Sequence, residues 1–190
     1  MSNNNKKIAI IISIIALVAL AFLFKNNMES SNSDKTVDTN KKVKEEIYFV
    51  ARELETDENV GKEEMLIMNK NAVVIWQTKC GPCEPELKAI EKLRSKYKNI
   101  NFIGIGLGDN NDDVTNKLKR LDINFKNYFL TEKFLNKNKS IDSTPTLLFV
   151  DKNGKELMYR LKGNTALNND AEQVIKDIEK ELDKFDQLKM

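Results

Sequence analysis

The feature that most constrains this chain is its cysteine content. The 190 residues contain two cysteines, and both belong to the segment Cys80-Gly81-Pro82-Cys83. The apolar run 72–75 precedes that segment and is typical of a buried strand, whereas the residues after it have the periodicity of a helix. A dithiol between a strand and the first turn of a helix is expected to be a redox site.

The sequence contains no histidine, which excludes several other kinds of cysteine chemistry. A structural zinc site takes about four Cys or His ligands, more than two cysteines supply. Covalent haem attachment requires a histidine at the position that Glu84 occupies. A Cys-His or Ser-His-Asp hydrolase requires an imidazole. We therefore expect thiol–disulfide exchange, without a metal or a cofactor.

A purely structural disulfide is the plainer interpretation of the cysteine pair. It would enclose only Gly81 and Pro82. So small a loop gains little chain entropy and constrains the geometry of the bond. The redox interpretation is therefore favoured.

The charge of the chain bears on its partners. The 31 basic and 29 acidic residues leave a net charge of +2, so charge is dense but nearly balanced. Such a balance is typical of a solvated surface and not of a surface that binds a polyanion. We expect no nucleic acid partner.

Residues 8–24 carry no charge and have lysines on both sides. As a helix they would span about 25 Å, slightly less than the roughly 30 Å of a membrane hydrocarbon core, and the flanking lysines can make up the difference. Residues 1–25 are therefore predicted to be a single-pass anchor that leaves the rest of the chain on the extracytoplasmic side. A cleaved signal segment is the alternative, with Ala19-Leu20-Ala21 as the cleavage site and a secreted product.

Residues 26–42 are rich in Ser, Asn, Lys and Asp and contain almost no apolar side chains. Such a segment cannot bury enough surface to fold and is predicted to be a flexible linker. Residues 43–190 are predicted to be the folded domain.

The domain alternates predicted strands and helices, which indicates an α/β fold with a mixed sheet. Strands are expected over 72–77, 100–107, 125–130 and 146–150, followed by a turn at 151–154 and an antiparallel return over 155–162. Helices are expected over 62–68, 84–97, 132–137, 168–188, and from the turn 108–112 to residue 121. Residues 43–54 fit a strand or a helix, with their charges favouring a helix, and residues 56–61 are expected to form a loop.

Two segments carry a resemblance to the thioredoxin superfamily. Trp76 and Cys80-Gly81-Pro82-Cys83 after a buried strand resemble its redox motif. Ser143-Thr144-Pro145-Thr146, before a strand and hairpin, resembles its cis-proline loop. The resemblance covers residues 72–188 and implies a thioredoxin-like fold, in which helices flank a central mixed β-sheet.

Within that superfamily the chain resembles the membrane-anchored TlpA/ResA-like extracytoplasmic thiol–disulfide oxidoreductases. The points of resemblance are the N-terminal anchor, a strand and helix inserted around residues 110–138, and Glu86. Two positions depart from the superfamily pattern. Val74 stands where cytoplasmic members carry a buried aspartate, and Lys79 replaces an aromatic residue before the first cysteine.

The helix N-terminus is expected to make the two cysteines unequal. Its partial positive charge and free N–H groups should lower the pKa of Cys80, and Lys79 adds a cation beside that thiol. Cys80 is therefore predicted to be the nucleophile and Cys83 the more buried resolving thiol. Pro82 suits the first turn of a helix, and Trp76 is predicted to pack as a wall of the site.

Thr144, Pro145 and Glu86 complete the predicted site. The resemblance implies that Pro145 is cis, lies against the dithiol and leaves the Thr144 backbone free to pair with an extended substrate segment; its plainer interpretation is the start of a strand. The resemblance also implies that Glu86 is a buried acid that relays the proton of Cys83. An exposed glutamate that complements the helix dipole is the alternative for Glu86, and solvated charges are the plainer interpretation of Glu84 and Lys79.

The predicted function is an extracytoplasmic thiol–disulfide oxidoreductase that reduces disulfides in exported proteins, because Gly-Pro between the cysteines is typical of reducing members. An extracytoplasmic compartment does not re-reduce such a pair. The resemblance therefore implies an integral membrane thiol carrier as the electron donor. The alternatives are a disulfide oxidase or isomerase of the same fold, and a non-catalytic anchored binding module.

Overall fold

The structure is a computed structural model that describes residues 45–163 and 170–190. The predicted anchor, residues 1–25, and the predicted linker, residues 26–42, lie outside these ranges. No helix in the described ranges is long and apolar enough to cross a membrane.

Strands and helices alternate along the described chain. The strands are β1 (Val50–Glu53), β2 (Asn59–Gly61), β3 (Asn71–Gln77), β4 (Asn101–Leu107), β5 (Lys126–Leu130), β6 (Thr146–Val150) and β7 (Leu161–Lys162). The helices are α1 (Lys62–Met65), α2 (Cys83–Leu93), α3 (Asn111–Leu121), α4 (Glu132–Lys137) and α5 (Ala171–Gln187). The elements predicted between residues 72 and 150 are all present, with small shifts at their ends.

Within the described ranges the strands form one mixed sheet in the order β2-β1-β5-β4-β3-β6-β7. β3, β4 and β5 are parallel, whereas β6 is antiparallel to β3 and β1 is antiparallel to β5. The place of β3 inside the sheet, between β4 and β6, explains its continuous apolar sequence, because a strand covered on both faces needs apolar side chains on both. The predicted α/β fold with a mixed sheet is confirmed.

The side chains of β3 are divided between two apolar cores. Val74 and Trp76 belong to one core, together with apolar residues of α2 and α5. Val73 and Ile75 belong to the other, which includes Phe134 of α4. Successive residues of a strand point to opposite faces, so β3 contributes to both cores in alternation. The cysteines belong to the core of α2 and α5.

The helix favoured for residues 43–54 is wrong, because this segment contains strand β1. Ile47, Phe49 and Ala51 are buried, while the intervening Tyr48 is exposed, which is the two-residue period of a strand. β1 pairs with β2 on one side and β5 on the other. Tertiary pairing therefore decided the conformation against the charged residues that favoured a helix.

Two other segments also differ from the predicted boundaries. Residues 56–61 were expected to form a loop, but their second half is strand β2. The turn 151–154 is present, with Gly154 at φ 85°, where an added Cβ would lie 2.6 Å from the carbonyl oxygen of Ile47. The antiparallel return is shorter than predicted, because only an isolated bridge at Glu156 and the two residues of β7 pair with β6.

Candidate active site

The two cysteines lie where β3 gives way to α2. The connecting loop is held by two backbone hydrogen bonds, from Thr78 N–H to the carbonyl of Leu107 at 2.8 Å and from Cys80 N–H to the carbonyl of Gln77 at 3.2 Å. Cys80 and Cys83 form a disulfide with 5.4 Å between their Cα atoms. The dithiol position predicted from the sequence is therefore a closed cysteine pair at the start of a helix.

The two cysteines differ in burial. The exposed fraction is 6% for Cys80 and 0% for Cys83, and Gly81 and Pro82 between them are exposed. The N–H of Cys83, the first residue of α2, lies 3.2 Å from Cys80 Sγ and points at it. When the pair is reduced, that N–H and the helix N-terminus favour an anionic sulfur at Cys80.

The loop before β6 forms the other side of the site. The Thr144–Pro145 peptide bond is cis, and the carbonyl oxygen of Thr144 lies 3.7 Å from Cys80 Sγ. The Thr144 hydroxyl accepts a hydrogen bond of 2.8 Å from Gln77 Nε2. Behind the loop, the Gly163 N–H donates to the Pro145 carbonyl at 2.7 Å. The structure thus brings Thr144 and Pro145 against the cysteine pair.

Trp76 is fully buried and belongs to the scaffold beneath the site. Its Nε1 donates to Asn127 Oδ1 at 2.9 Å, and Asn127 Nδ2 donates to the carbonyl of Phe125 at 2.9 Å. The two glycines of β4 make room for this pair. A Cβ on Gly106 would lie 2.7 Å from the indole, and one on Gly104 would lie 1.8 Å from Asn127 Oδ1. The sequence signal for this was two glycines at alternate positions of a strand, which mark a close approach.

Glu86 is buried in the first turn of α2, with an exposed fraction of 3%. Among the described residues, its Oε1 has no hydrogen-bond partner. Burial raises the pKa of this carboxyl from about 4.5 to about 8, because desolvation penalises the charged form. The alternative of an exposed glutamate is wrong. Glu86 lies three residues after Cys83, on the same side of the helix.

Glu84 is not a solvated charge, because two cations of α3 bind it. Its Oε1 accepts hydrogen bonds from Lys117 and from Arg120, the latter at 2.8 Å. These two hydrogen bonds lower the pKa of Glu84 from about 4.5 to about 2. The ion pairs connect the first turn of α2 to α3. The sequence contained no signal that would have identified the partners.

Lys79 is exposed next to Cys80 and has a partner of its own. Its Nζ lies 2.8 Å from Asp109 Oδ2 in the loop after β4. The hydrogen bond with Asp109 raises the pKa of Lys79. The cation that was predicted to favour the Cys80 thiolate therefore acts with an anion beside it, which weakens its effect on the sulfur.

Val74 lies in the middle of β3 and is buried between Gly104 of β4 and Leu147 of β6. The position of the superfamily's buried aspartate is therefore apolar here. Among the described residues, Glu86 is the buried carboxyl nearest in sequence to the cysteines.

In the described part of the chain, no cluster of three or more Cys, Asp or Glu side chains is arranged to hold a metal ion.

Comparison with known proteins agrees with this geometry. Residues 69–156 match a family model described as thioredoxin-like, whereas no curated protein matches the chain. A crystal structure of a putative thiol:disulfide interchange protein DsbE from Chlorobium tepidum is similar, at 20% identity and a TM-score of 0.55 over 70% of this chain and 95% of that one.

Two further solved structures are similar to the same extent. StoA from Bacillus subtilis is 18% identical, with a TM-score of 0.52 over 70% of this chain and 96% of that one. A secreted Mycobacterium tuberculosis disulfide oxidoreductase homologous to E. coli DsbE is 14% identical, with a TM-score of 0.54 over 70% of this chain and 95% of that one. At these identities the likeness shows the fold.

Proposed function

We propose that this protein is a thiol–disulfide oxidoreductase that reduces disulfides in exported proteins, and the match of residues 69–156 to a thioredoxin-like family model supports this proposal. One observation carries the proposal. Cys80 and Cys83 form a disulfide at the N-terminus of α2, and of these two cysteines only Cys80 is exposed to a substrate. A nucleophile needs that access, and a resolving thiol does not.

The proposed reaction is two successive thiol–disulfide exchanges. The Cys80 thiolate attacks one sulfur of a substrate disulfide, forms a mixed disulfide and releases the other substrate sulfur as a thiolate, which takes up a proton. The Cys83 thiolate then attacks Cys80 Sγ, closes the Cys80–Cys83 disulfide and releases the second substrate thiolate. The second substrate thiolate also takes up a proton. Counted from the dithiol to the disulfide, the protein loses two electrons and two protons, and the substrate disulfide gains two electrons and two protons as it becomes two thiols.

Glu86 is proposed to exchange the proton of Cys83 during the second step. Two facts support this role: the pKa of Glu86 is raised to about 8 by burial, and Glu86 lies one helical turn beyond Cys83 in the same core. A carboxyl with such a pKa carries its proton at neutral pH and can give it up or regain it within the working range. Val74, at the usual place of a buried aspartate, leaves that task to Glu86.

The extracytoplasmic location is proposed on the sequence of residues 8–24. An uncharged run of this length between lysines supports a membrane anchor, and residues 26–42 supply reach between anchor and domain. Outside the cytoplasm the cysteine pair needs an external source of electrons. We therefore propose an integral membrane thiol carrier as donor and disulfide-containing exported proteins as substrates.

The activity is tested with the full chain in detergent, reduced beforehand, and a disulfide-bonded peptide as substrate. Wild-type protein should reduce the peptide stoichiometrically. Cys80→Ser should abolish the reaction, and Cys83→Ala should stop it at a mixed disulfide visible by mass spectrometry. If Cys80→Ser instead retained the full function of the protein in cells, that outcome would support the non-catalytic binding module.

The direction of electron flow is tested separately by the reduction potential of the cysteine pair. A reductase should lie near the roughly −270 mV of thioredoxin, whereas a value above about −150 mV would favour a disulfide oxidase or isomerase. Partners trapped on Cys83→Ala in membranes would then identify the substrate class. Recovery of cytoplasmic proteins alone would contradict the extracytoplasmic assignment.

A further inference from the structure

Gln77 contacts both sides of the candidate site. Its carbonyl oxygen accepts the N–H of Cys80 at 3.2 Å, and its side-chain Nε2 donates to the Thr144 hydroxyl at 2.8 Å. The carbonyl oxygen of Thr144 in turn lies 3.7 Å from Cys80 Sγ. These three contacts close a ring that joins the cysteine loop to the cis-proline loop.

The position of the Gln77–Thr144 hydrogen bond follows from the register of the sheet. The antiparallel pairing of β3 with β6 ends at Ile75 opposite Thr146. Two steps further along the same register, Gln77 stands opposite Thr144, and Pro145 between them has no N–H to continue the ladder. The side chain of Gln77 therefore supplies a hydrogen bond between β3 and the segment before β6 where the backbone ladder has ended.

The loop that Gln77 holds has an unused backbone donor. In the described ranges, the N–H of Thr144 has no hydrogen-bond partner, and Thr144 is only partly buried. A free N–H beside a reactive sulfur is a place where an extended polypeptide segment can pair. Such pairing works only if the loop stays at a fixed distance from Cys80, since a displacement of about 1 Å can lower a rate by a large factor.

We propose that Gln77 is a positioning residue for polypeptide disulfides: its amide holds the Thr144 backbone beside Cys80 so that a bound segment presents its disulfide to the sulfur. This inference rests on the proposed function and adds to it. Gln77 does not touch the reacting sulfurs through its side chain, so its contribution is specific to substrates that pair with the loop. A small thiol-alkylating reagent does not pair with the loop, so its rate of reaction with Cys80 does not depend on Gln77.

The test compares a polypeptide substrate with a small reagent on the full-length protein. Gln77→Ala and Thr144→Val each remove the same hydrogen bond. Each should lower the second-order rate constant for the reaction of the pre-reduced protein with a disulfide-bonded peptide by about five- to tenfold, the size expected for one hydrogen bond. Alkylation of Cys80 by iodoacetamide should stay within about threefold of wild type in both.

Three further variants separate positioning from general damage. The double variant Gln77→Ala/Thr144→Val should be no slower than either single variant, because both changes break one interaction. Thr144→Ser, which keeps the hydroxyl, should recover most of the activity lost in Thr144→Val. Gln173→Ala is the matched control, since Gln173 Nε2 also donates one hydrogen bond, to Asp177 on α5.

Each outcome decides the inference. Equal losses with peptide and iodoacetamide, multiplicative losses in the double variant, or an unchanged peptide rate in Gln77→Ala would overturn it. If Gln77→Ala unfolds, the contrast between Thr144→Val and Thr144→Ser decides it in the same way. If the wild-type protein reduces no disulfide, the proposed function fails and this inference fails with it. If the wild-type protein is active and Gln77→Ala reacts with the peptide at the same rate, only this inference is overturned.

Discussion

Trp76 donates its indole N–H to Asn127 Oδ1 at 2.9 Å across 51 positions of sequence. Trp76 is the last residue but one of β3, directly before the loop that carries the cysteines, and Asn127 belongs to β5. Both side chains are buried. The hydrogen bond therefore connects β3, which precedes the cysteine loop, to β5 across the face of the intervening strand β4.

Asn127→Ala should destabilise the domain by about 1–3 kcal/mol, because the indole N–H would remain buried without a partner. The free energy of unfolding from a urea titration measures this loss. In a Trp76→Phe background the N–H is absent, so the further effect of Asn127→Ala should be smaller than in wild type. An equal effect in both backgrounds would show that the hydrogen bond is not its source.

Gly104→Ala should destabilise the domain by at least about 1–3 kcal/mol, because the new Cβ would lie 1.8 Å from Asn127 Oδ1. Gly81→Ala is the matched control: no atom lies within 4 Å of a Cβ at Gly81, and its midpoint of unfolding should barely change. Adding Asn127→Ala to Gly104→Ala removes the clashing oxygen. The double variant should then lose less than the two single losses combined, and strictly additive losses would contradict the clash.

Glu86 should make the domain less stable as the pH rises. The pKa of this carboxyl is about 8 in the folded protein and near its ordinary value of about 4.5 when unfolded. Between these values the folded state holds the proton and the unfolded state releases it, so the free energy of unfolding falls as the pH rises from about 4.5 to 8.

Glu86→Gln removes this titration and keeps the shape of the side chain. Relative to wild type, the variant should gain stability between pH 5 and pH 9, on the order of 4 kcal/mol in total. Urea unfolding of both proteins at pH 5, 7 and 9 measures the difference. A difference that stays constant across this range would mean that Glu86 does not hold its proton in the folded state.

Glu84 should have the opposite pH dependence, because its ion pairs favour the charged form. The pKa of Glu84 is lowered to about 2 by Lys117 and Arg120, so its stabilising effect is complete above about pH 4.5 and is lost as the pH falls through 2. Since the site is partly exposed and screened by solvent, Glu84→Gln should destabilise the domain by only about 1 kcal/mol at pH 7.

Glu172→Gln is the matched control for that substitution. Glu172 occupies the corresponding position in the first turn of α5 and is exposed, so it shares the interaction with the helix dipole but lacks the two cations. Its effect at pH 7 should be a few tenths of a kcal/mol. If the two substitutions had equal effects, the pairs with Lys117 and Arg120 would contribute nothing measurable.

The core of the fold and the reactive pair could be predicted because their signals are local. The apolar run of β3 and the spacing of Leu87, Ile90 and Leu93 in α2 identify the two elements that hold the cysteines. Residues 47–51 form an apolar run without alternation, and the charged residues on both sides of it led to the wrong conformation for β1. Such a short apolar run fits a strand or a helix, and its conformation is decided by the strands that pair with it.

The partners of the site residues could not be predicted because they are distant in sequence. Asn127 for Trp76, Asp109 for Lys79 and the cations of α3 for Glu84 all come from elements that follow the cysteines by many positions. A hydrogen bond or an ion pair between distant residues imposes no periodicity on the chain, so no sequence pattern identifies the partner residue.

The sequence by itself determined the reactive chemistry: two cysteines before a helix, no histidine, and a Thr-Pro pair ahead of a later strand. Local periodicity and the identity of the side chains are sufficient for that. The tertiary structure decided how the chemistry is controlled. It buried Glu86, shared the charge of Lys79 with Asp109, and placed Gln77 opposite Thr144, because burial and electrostatic contacts depend on which elements pack together and not on the order in which they occur.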